Sequence, residues 1–216
     1  MSKESQLRTG VGLVLTVKRD GVFKPFLPPT DRNDDEGKLE GVRKVCPFNP
    51  HFHPHFLGKP ATQGGRVLDH KCGILGGAVD LPPAEIEQNP YSLGEELARE
   101  VSEEMKSLLE RTITSLNASD FVVFMTWFNQ LITTIQNIPN SRFYSFSGIL
   151  VGQFLERNET GEHTLRGIFN VRAVKREVPE NVAPILEKLG FSVPTSPDEV
   201  RPYVRVVLSL LGYGTY

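Results

Sequence analysis

Cysteine is scarce in this chain. Cys46 and Cys72 are the only two, too few to staple a disulfide framework. A reducing, cytosolic (cytoplasmic) compartment is the simplest expectation, and the Asn-x-Ser/Thr triplets at Asn117 and Asn158 then read as chance matches. A second absence is a long apolar run. No stretch approaches the roughly 18 apolar residues of a membrane span, so no membrane helix is expected. The opening residues Met1 to Gln6 lack the apolar region of a secretory leader. Basic excess is missing too: 24 Lys and Arg stand against 26 Asp and Glu, a net charge of −2, so nothing calls for nucleic acid as an obligatory partner. Internal repeats and low-complexity tracts are also absent. What remains is an ordinary globular composition. At 216 residues and 39% hydrophobic, the chain is long enough for a single domain with a sizeable core.

The most informative stretch is Gly76 to Met105. Its second half, from Ser92, carries strong helix signals. Ser92 is a candidate N-cap, Glu95 three residues on can close a capping box, and Glu95 and Glu96 suit the positive end of the helix dipole. On a wheel of about 100° per residue with Leu97 at zero, Leu93, Val101 and Leu108 fall within about 40° and form a buried stripe. Glu104 falls inside that stripe at about −20°, with Glu100 on its edge and Glu103 beside Glu100. A solvated acidic face is the usual explanation of a Glu-rich helix. A carboxylate inside the apolar stripe, however, is costly unless paired, protonated or bound to a metal.

The run Arg99-Glu100-Val101-Ser102-Glu103-Glu104, preceded by Gly76-Gly77-Ala78-Val79-Asp80, resembles the signature of the Nudix hydrolases. That signature reads Gly, five residues, Glu, seven residues, then Arg-Glu-apolar-x-Glu-Glu-x-Gly-apolar. The chain departs from it in three places. Gly77 and Arg99 are 99 − 77 = 22 positions apart, against 14 in the signature, so the intervening loop holds an insertion of about eight residues. Tyr91 stands where the first Glu belongs, and Lys106 and Ser107 replace the closing Gly and apolar residue. Glu85 or Glu87 is a candidate replacement for the missing Glu, and an exposed acidic loop is the plainer reading of that insertion.

What the resemblance implies is an α/β fold, a Nudix-like α/β/α sandwich with a mixed β-sheet. It would form one domain over residues 1–216, with an insertion at about 28–70 and an extra C-terminal helical segment at about 179–216. It also implies a metal-dependent pyrophosphohydrolase. Glu100, Glu103 and Glu104 would hold Mg²⁺ or Mn²⁺, oxygen donors on a hard cation. Glu103 and Glu104 would serve the chemistry, and Arg99 would orient a neighbouring Glu, itself held by Glu95 four residues earlier. The backbone at Gly76 and Gly77 would approach metal or substrate. The partner would be a small nucleotide-type molecule, a nucleoside diphosphate linked to another group, with no membrane partner. The departures from the signature motivate an alternative: a Nudix-like module that binds a nucleotide or a protein without hydrolysis.

The rest of the chain reads as follows. Val11, Leu13, Leu15 and Val17 alternate as one face of a strand. Arg19-Asp20-Gly21 is a turn, and Val22 to Leu27 returns as an edge strand at best because of Pro25. In the insertion, His51, His53 and His55 would share one face of an extended strand, which is weak evidence for zinc without matched ligands. His70 to Leu75 reads as a short strand that ends in the glycine pair at a tight turn. Asn117 offers a new N-cap for a helix through Gln136 that ends before Pro139, although β-branched and aromatic content leaves a strand over Phe121 to Phe124 open. That helix reads mainly as core, and its apolar surplus could also supply a homodimer face. Arg142 to Arg157 and Thr164 to Arg176 form a hairpin. Glu156, Glu159, Glu162 and Glu177 follow as candidates for a further ligand or base. Pro179 to Gly190 suggests a short helix with Gly190 as its C-cap. A last helix from Pro197 would bury Val200, Val204, Val207, Leu208 and Leu211.

Overall fold

The computed structural model describes residues 8–29, 72–79, 81–150, 167–196, 199–200, 204, 207–209 and 211–213. The histidine run at 51–55, nearly all of the insertion at 28–70, and Glu156, Glu159 and Glu162 lie outside them.

Strand β1 (Arg8–Arg19) is the centre of the sheet. Its alternation divides two cores. Val11, Leu13, Leu15 and Val17 belong to one buried cluster and Val14 to the other, on the opposite face. The Asp20-Gly21 turn carries positive φ at both residues, 54° and 77°, the pattern that suits a two-residue hairpin. It returns the chain as β2 (Val22–Phe26), which pairs with the second half of β1, Leu15 opposite Phe26. Pro25 is accommodated because β2 is an edge strand. Strand β3 (Leu75–Val79) pairs antiparallel with the first half of β1. On the other side of β1, β5 (Gly167–Glu177) runs parallel to it, with Leu13 opposite Val174. Strand β4 (Tyr144–Leu150) pairs antiparallel with β5, as the predicted hairpin requires. The result is a mixed five-stranded sheet.

Helix α1 (Pro83–Gln88) occupies the segment expected to be an acidic loop. Pro83 at its first position and Glu85 in its first turn favour a helix start. Helix α2 (Ser92–Thr112) buries the predicted stripe Leu93, Leu97, Val101 and Leu108, and adds Ala98 and Met105. The expected capping box at its start does not form. Tyr91 is the N-cap, Ser92 is itself buried and donates to the Ile86 carbonyl, and the Leu93 N–H donates to Asn140 Oδ1 at 3.0 Å. Packing decides this: each buried apolar side chain contributes roughly 1.5–3 kcal/mol, whereas one cap contributes about 1 kcal/mol.

After a short 3₁₀ turn (Ile113–Ser115), Asn117 and Asp120 form the capping box of α3 (Ala118–Gln136). Helix α3 buries Phe124, Trp127, Leu131 and Ile135 but leaves Val122 64% exposed, so it is amphipathic rather than wholly core. Gly94 makes the α2–α3 crossing close, because a Cβ there would press on the Ile135 and Ile138 carbonyls. A second 3₁₀ turn (Asn140–Arg142) leads into β4. Helix α4 (Ala183–Lys188) ends as expected at Gly190, φ 95°, with Phe191 N–H to Leu186 O and Gly190 N–H to Glu187 O closing the last turn.

Helices α2, α3 and α4 contribute buried residues to the core on the Leu13 face of the sheet. Val200, Val204, Val207, Leu208 and Leu211 are all buried on the Val14 face, with Val204 and 207–209 helical. Among the described residues no helix is long and apolar enough to cross a membrane.

Candidate functional site

The glycine pair does not sit at a turn, as the sequence suggested. It lies inside β3, with Gly76 opposite Gly12 and Gly77 opposite Val11. Gly76 adopts φ 139°, a region that favours glycine, and a Cβ there would collide with the Val11 carbonyl oxygen. At Gly77 the obstacle is different: a Cβ would collide with the carboxylate of Glu100. Gly76 therefore needs glycine because of the neighbouring strand, whereas a side chain at position 77 would displace the Glu100 carboxylate of helix α2.

Helix α2 lays its carboxylates against this strand. Gly76 N–H donates to Glu104 Oε2 at 3.0 Å. Glu104, one turn beyond Glu100, is half-buried, which agrees with its place inside the apolar stripe. Glu100 lies over Gly77 with a side chain only 17% exposed. Glu103 faces outward, 63% exposed.

Arg99 organises the outer side of the cluster. Its guanidinium donates to Glu96 at 2.9 Å, Glu100 at 2.6 Å and Glu103 at 3.2 Å. The hydrogen bond to Glu96, then that to Glu103 and the charges of Glu100 and Glu96, hold the Arg99 pKa above its ordinary value. The expectation that Glu95 holds Arg99 fails, because Glu95 accepts from Asn89 Nδ2 at 2.8 Å instead. Glu96, three residues before Arg99 on the same helix, takes that place. Neither Glu85 nor Glu87 of α1 is a partner of Arg99 in the hydrogen bonds and ion pairs it makes. Glu177, exposed at the end of β5, stands opposite Thr16. Val11 faces Gly77, five residues earlier on β1, so Glu177 is about 17 Å away along the strand at 3.3 Å per residue.

Asn140 is a residue the sequence did not reveal. Its side chain accepts from Leu93 N–H and donates to Ile86 O at 2.8 Å, Asn89 O at 2.9 Å and Ser92 Oγ at 3.1 Å. It therefore ties the end of α1 to the start of the carboxylate-bearing helix. No local pattern marks it, since it lies 47 residues from Leu93.

The donor chemistry suits a hard divalent cation, because Glu100, Glu103 and Glu104 are all carboxylates. Their arrangement is another matter. Among the described residues no three acidic, His or Cys side chains stand together as a group able to hold an ion. Glu100 and Glu103 are turned to Arg99, and Glu104 to the Gly76 N–H. The residues fit the ion in kind, and Arg99 shares its single positive charge between Glu100, Glu103 and Glu96. Searches against protein-family models, curated proteins and solved structures return no match.

Proposed function

We propose that this chain is a Nudix-type α/β/α hydrolase that cleaves the diphosphate of a small nucleotide-type molecule with the help of Mg²⁺ or Mn²⁺. The observation that carries the reading is the junction of β3 and α2. Two adjacent glycines bring backbone against two carboxylates of the Arg99–Glu104 run, with Glu104 hydrogen-bonded to Gly76 and Glu100 over Gly77. The absence of a side chain at Gly77 leaves the space that the Glu100 carboxylate occupies, so strand and helix are fitted to each other at this point.

Glu100, Glu103 and Glu104 would hold the ion once Arg99 releases Glu100 and Glu103. When bound, the ion supplies charge neutralisation of a diphosphate and a lowered pKa for an attacking water. The protein's own contributions follow from the geometry. Glu104 keeps the helix in register with the glycine backbone. Arg99, joined to three glutamates, orients them and does not itself need to reach substrate. Glu103, the most exposed of the three, has the freedom to take a proton from water.

A second reading has an observation of its own. Arg99 pairs with both Glu100 and Glu103, and Tyr91 replaces a signature Glu. A Nudix-like nucleotide-binding or interaction module would be built the same way. The two readings part on turnover: phosphate or nucleotide release from a panel of dinucleotides, nucleotide sugars and nucleoside triphosphates, with Mg²⁺ and with Mn²⁺. The hydrolase reading expects release that Glu104→Gln abolishes. Absence of release from every member of the panel favours the module.

A further inference from the structure

The register of the sheet places Gly77 on β3, Val11 on β1 and Arg172 on β5 in one cross-strand row. Val11 and Val174 belong to the core on the Leu13 face, and Ala173 to the core on the opposite face. Side chains alternate along a strand, so Arg172 projects on the Leu13 face, the face on which Glu100 lies over Gly77. Two strand spacings of about 4.8 Å put Gly77 and Arg172 roughly 10 Å apart. Val11, between them, is buried and makes the floor of the row apolar.

Arg172 is half-buried, unlike Lys18, Lys106 and Lys175, which are exposed. Its side chain makes no hydrogen bond or ion pair among the described residues. Water compensates an exposed ammonium that has no partner, but it compensates less well a cation partly withdrawn beside apolar surface. Arg176, also half-buried on this face, differs on both counts: it donates to the Lys175 carbonyl, and it stands four residues, about 13 Å, further along β5. The glutamates across the row do not supply the missing counter-charge. Glu100 and Glu103 pair with Arg99, and Glu104 accepts from the Gly76 N–H.

Carboxylates at one end of the row and a guanidinium at the other fit a molecule with two adjacent anionic groups. One group would meet the cation that the carboxylates hold, and the other would meet Arg172. A guanidinium matches a phosphate group through two parallel N–H···O bonds. We propose that Arg172 is a substrate-binding residue that holds one phosphate group of the diphosphate. The proposal rests on the diphosphate reading of the carboxylate site and adds the residue that fixes the substrate's position over β1.

The test is calorimetric titration of the full chain with methylenediphosphonate, a diphosphate whose bridging oxygen is replaced by carbon, in the presence of Mg²⁺. The wild type should bind it saturably and more tightly than inorganic phosphate. Arg172→Gln should weaken that binding at least about tenfold. Arg172→Lys, which keeps the charge but not the fork, should weaken it less than Arg172→Gln does. In the wild type, the NMR signal of the Arg172 Nε–H, assigned by its absence from Arg172→Gln, should shift when the diphosphonate is added with Mg²⁺. A purely structural arginine would leave that signal where it is. No saturable binding by the wild type, unchanged affinity in Arg172→Gln, or an unmoved Nε–H signal would each overturn the proposal. Turnover by the wild type with undiminished binding by Arg172→Gln overturns the role of Arg172 alone. Binding that is lost in Arg172→Gln, without turnover of any nucleotide by the wild type, overturns hydrolysis alone.

Discussion

Glu104 accepts a hydrogen bond from the backbone N–H of Gly76 at 3.0 Å, across 28 residues of sequence. That bond adds a polar tie between the carboxylate helix and the sheet, which also meet through the shared apolar core of Leu97, Val101, Leu13 and Leu75. An unsatisfied, partly buried N–H costs about 1–3 kcal/mol, so a carboxylate that satisfies one has a structural reason to sit inside an apolar stripe.

The two glycines should fail differently when replaced. At Gly77 the atom in the way is the far end of the Glu100 side chain, which can swing aside. Gly77→Ala should leave stability within about 1 kcal/mol of wild type, as at other sites where a flexible side chain yields, while displacing Glu100. At Gly76 the obstacle is the Val11 carbonyl and φ is 139°. Gly76→Ala should therefore cost about 3 kcal/mol or more. Urea denaturation of both variants checks the order, and equal costs would contradict it.

Arg99 holds Glu96, Glu100 and Glu103 together. Exposed pairs of this kind contribute only about 0.2–1 kcal/mol each, so Arg99→Gln should lower stability modestly. Its larger effect should be on the response to a divalent ion, since two carboxylates lose their counter-charge. Added Mg²⁺ should raise the Tm of Arg99→Gln by more than it raises that of the wild type. An equal shift in both proteins would mean that Arg99 and the ion do not share these glutamates.

Asn140 makes four hydrogen bonds to the α1–α2 junction. Asn140→Ala leaves several partly buried groups without partners and should cost about 2–3 kcal/mol. Asn140→Asp keeps the acceptor for Leu93 N–H but replaces the amide donor with an oxygen facing three acceptors, so it should fare no better. Denaturation midpoints decide, and a neutral Asn140→Ala would refute its role as the clamp.

Asp120 has a pKa below its ordinary value, chiefly because Lys188 donates to it at 2.6 Å, with the Asn117 N–H helping. A depressed carboxylate pKa means that the unfolded chain binds the proton more readily. The stability Asp120 provides is therefore complete above the unfolded pKa of about 3.9 and is lost as pH falls through the lower folded value. The gap in Tm between wild type and Asp120→Asn should be constant from about pH 7 to about pH 5 and close below about pH 4. A gap that widens in acid would contradict this.

The parts of the fold legible in the sequence are those that local periodicity determines. Leu93, Leu97, Val101 and Leu108 face the core because they share one side of a helix, and all five apolar residues named in the C-terminal segment are buried. The Asn117 cap and the Gly190 stop also follow from short-range chemistry. Three features were hidden because long-range partners decide them. Ser92 does not cap because the helix starts one residue earlier, the Glu95 N–H donating to the Tyr91 carbonyl, while buried Ser92 donates to Ile86 O and Asn140, 47 residues away, accepts from the Leu93 N–H. Glu95 and Glu96 are both within reach of Arg99, and the choice falls to Glu96 because Asn89 claims Glu95. The glycine pair looked like a turn because nothing in Gly76-Gly77 discloses that Val11 and Glu100 crowd them inside a strand.

The central claim is that the β3–α2 junction hydrolyses a diphosphate with a divalent ion, and one comparison tests it most directly. Wild type and Glu104→Gln are assayed side by side for phosphate or nucleotide release with Mg²⁺, after circular dichroism shows both folded. Glutamine retains an oxygen for the Gly76 N–H but loses the charge, so the fold should persist. The account predicts Mg²⁺-dependent release by the wild type and its loss, by at least about a hundredfold, in the variant. Equal release by the two folded proteins would contradict it.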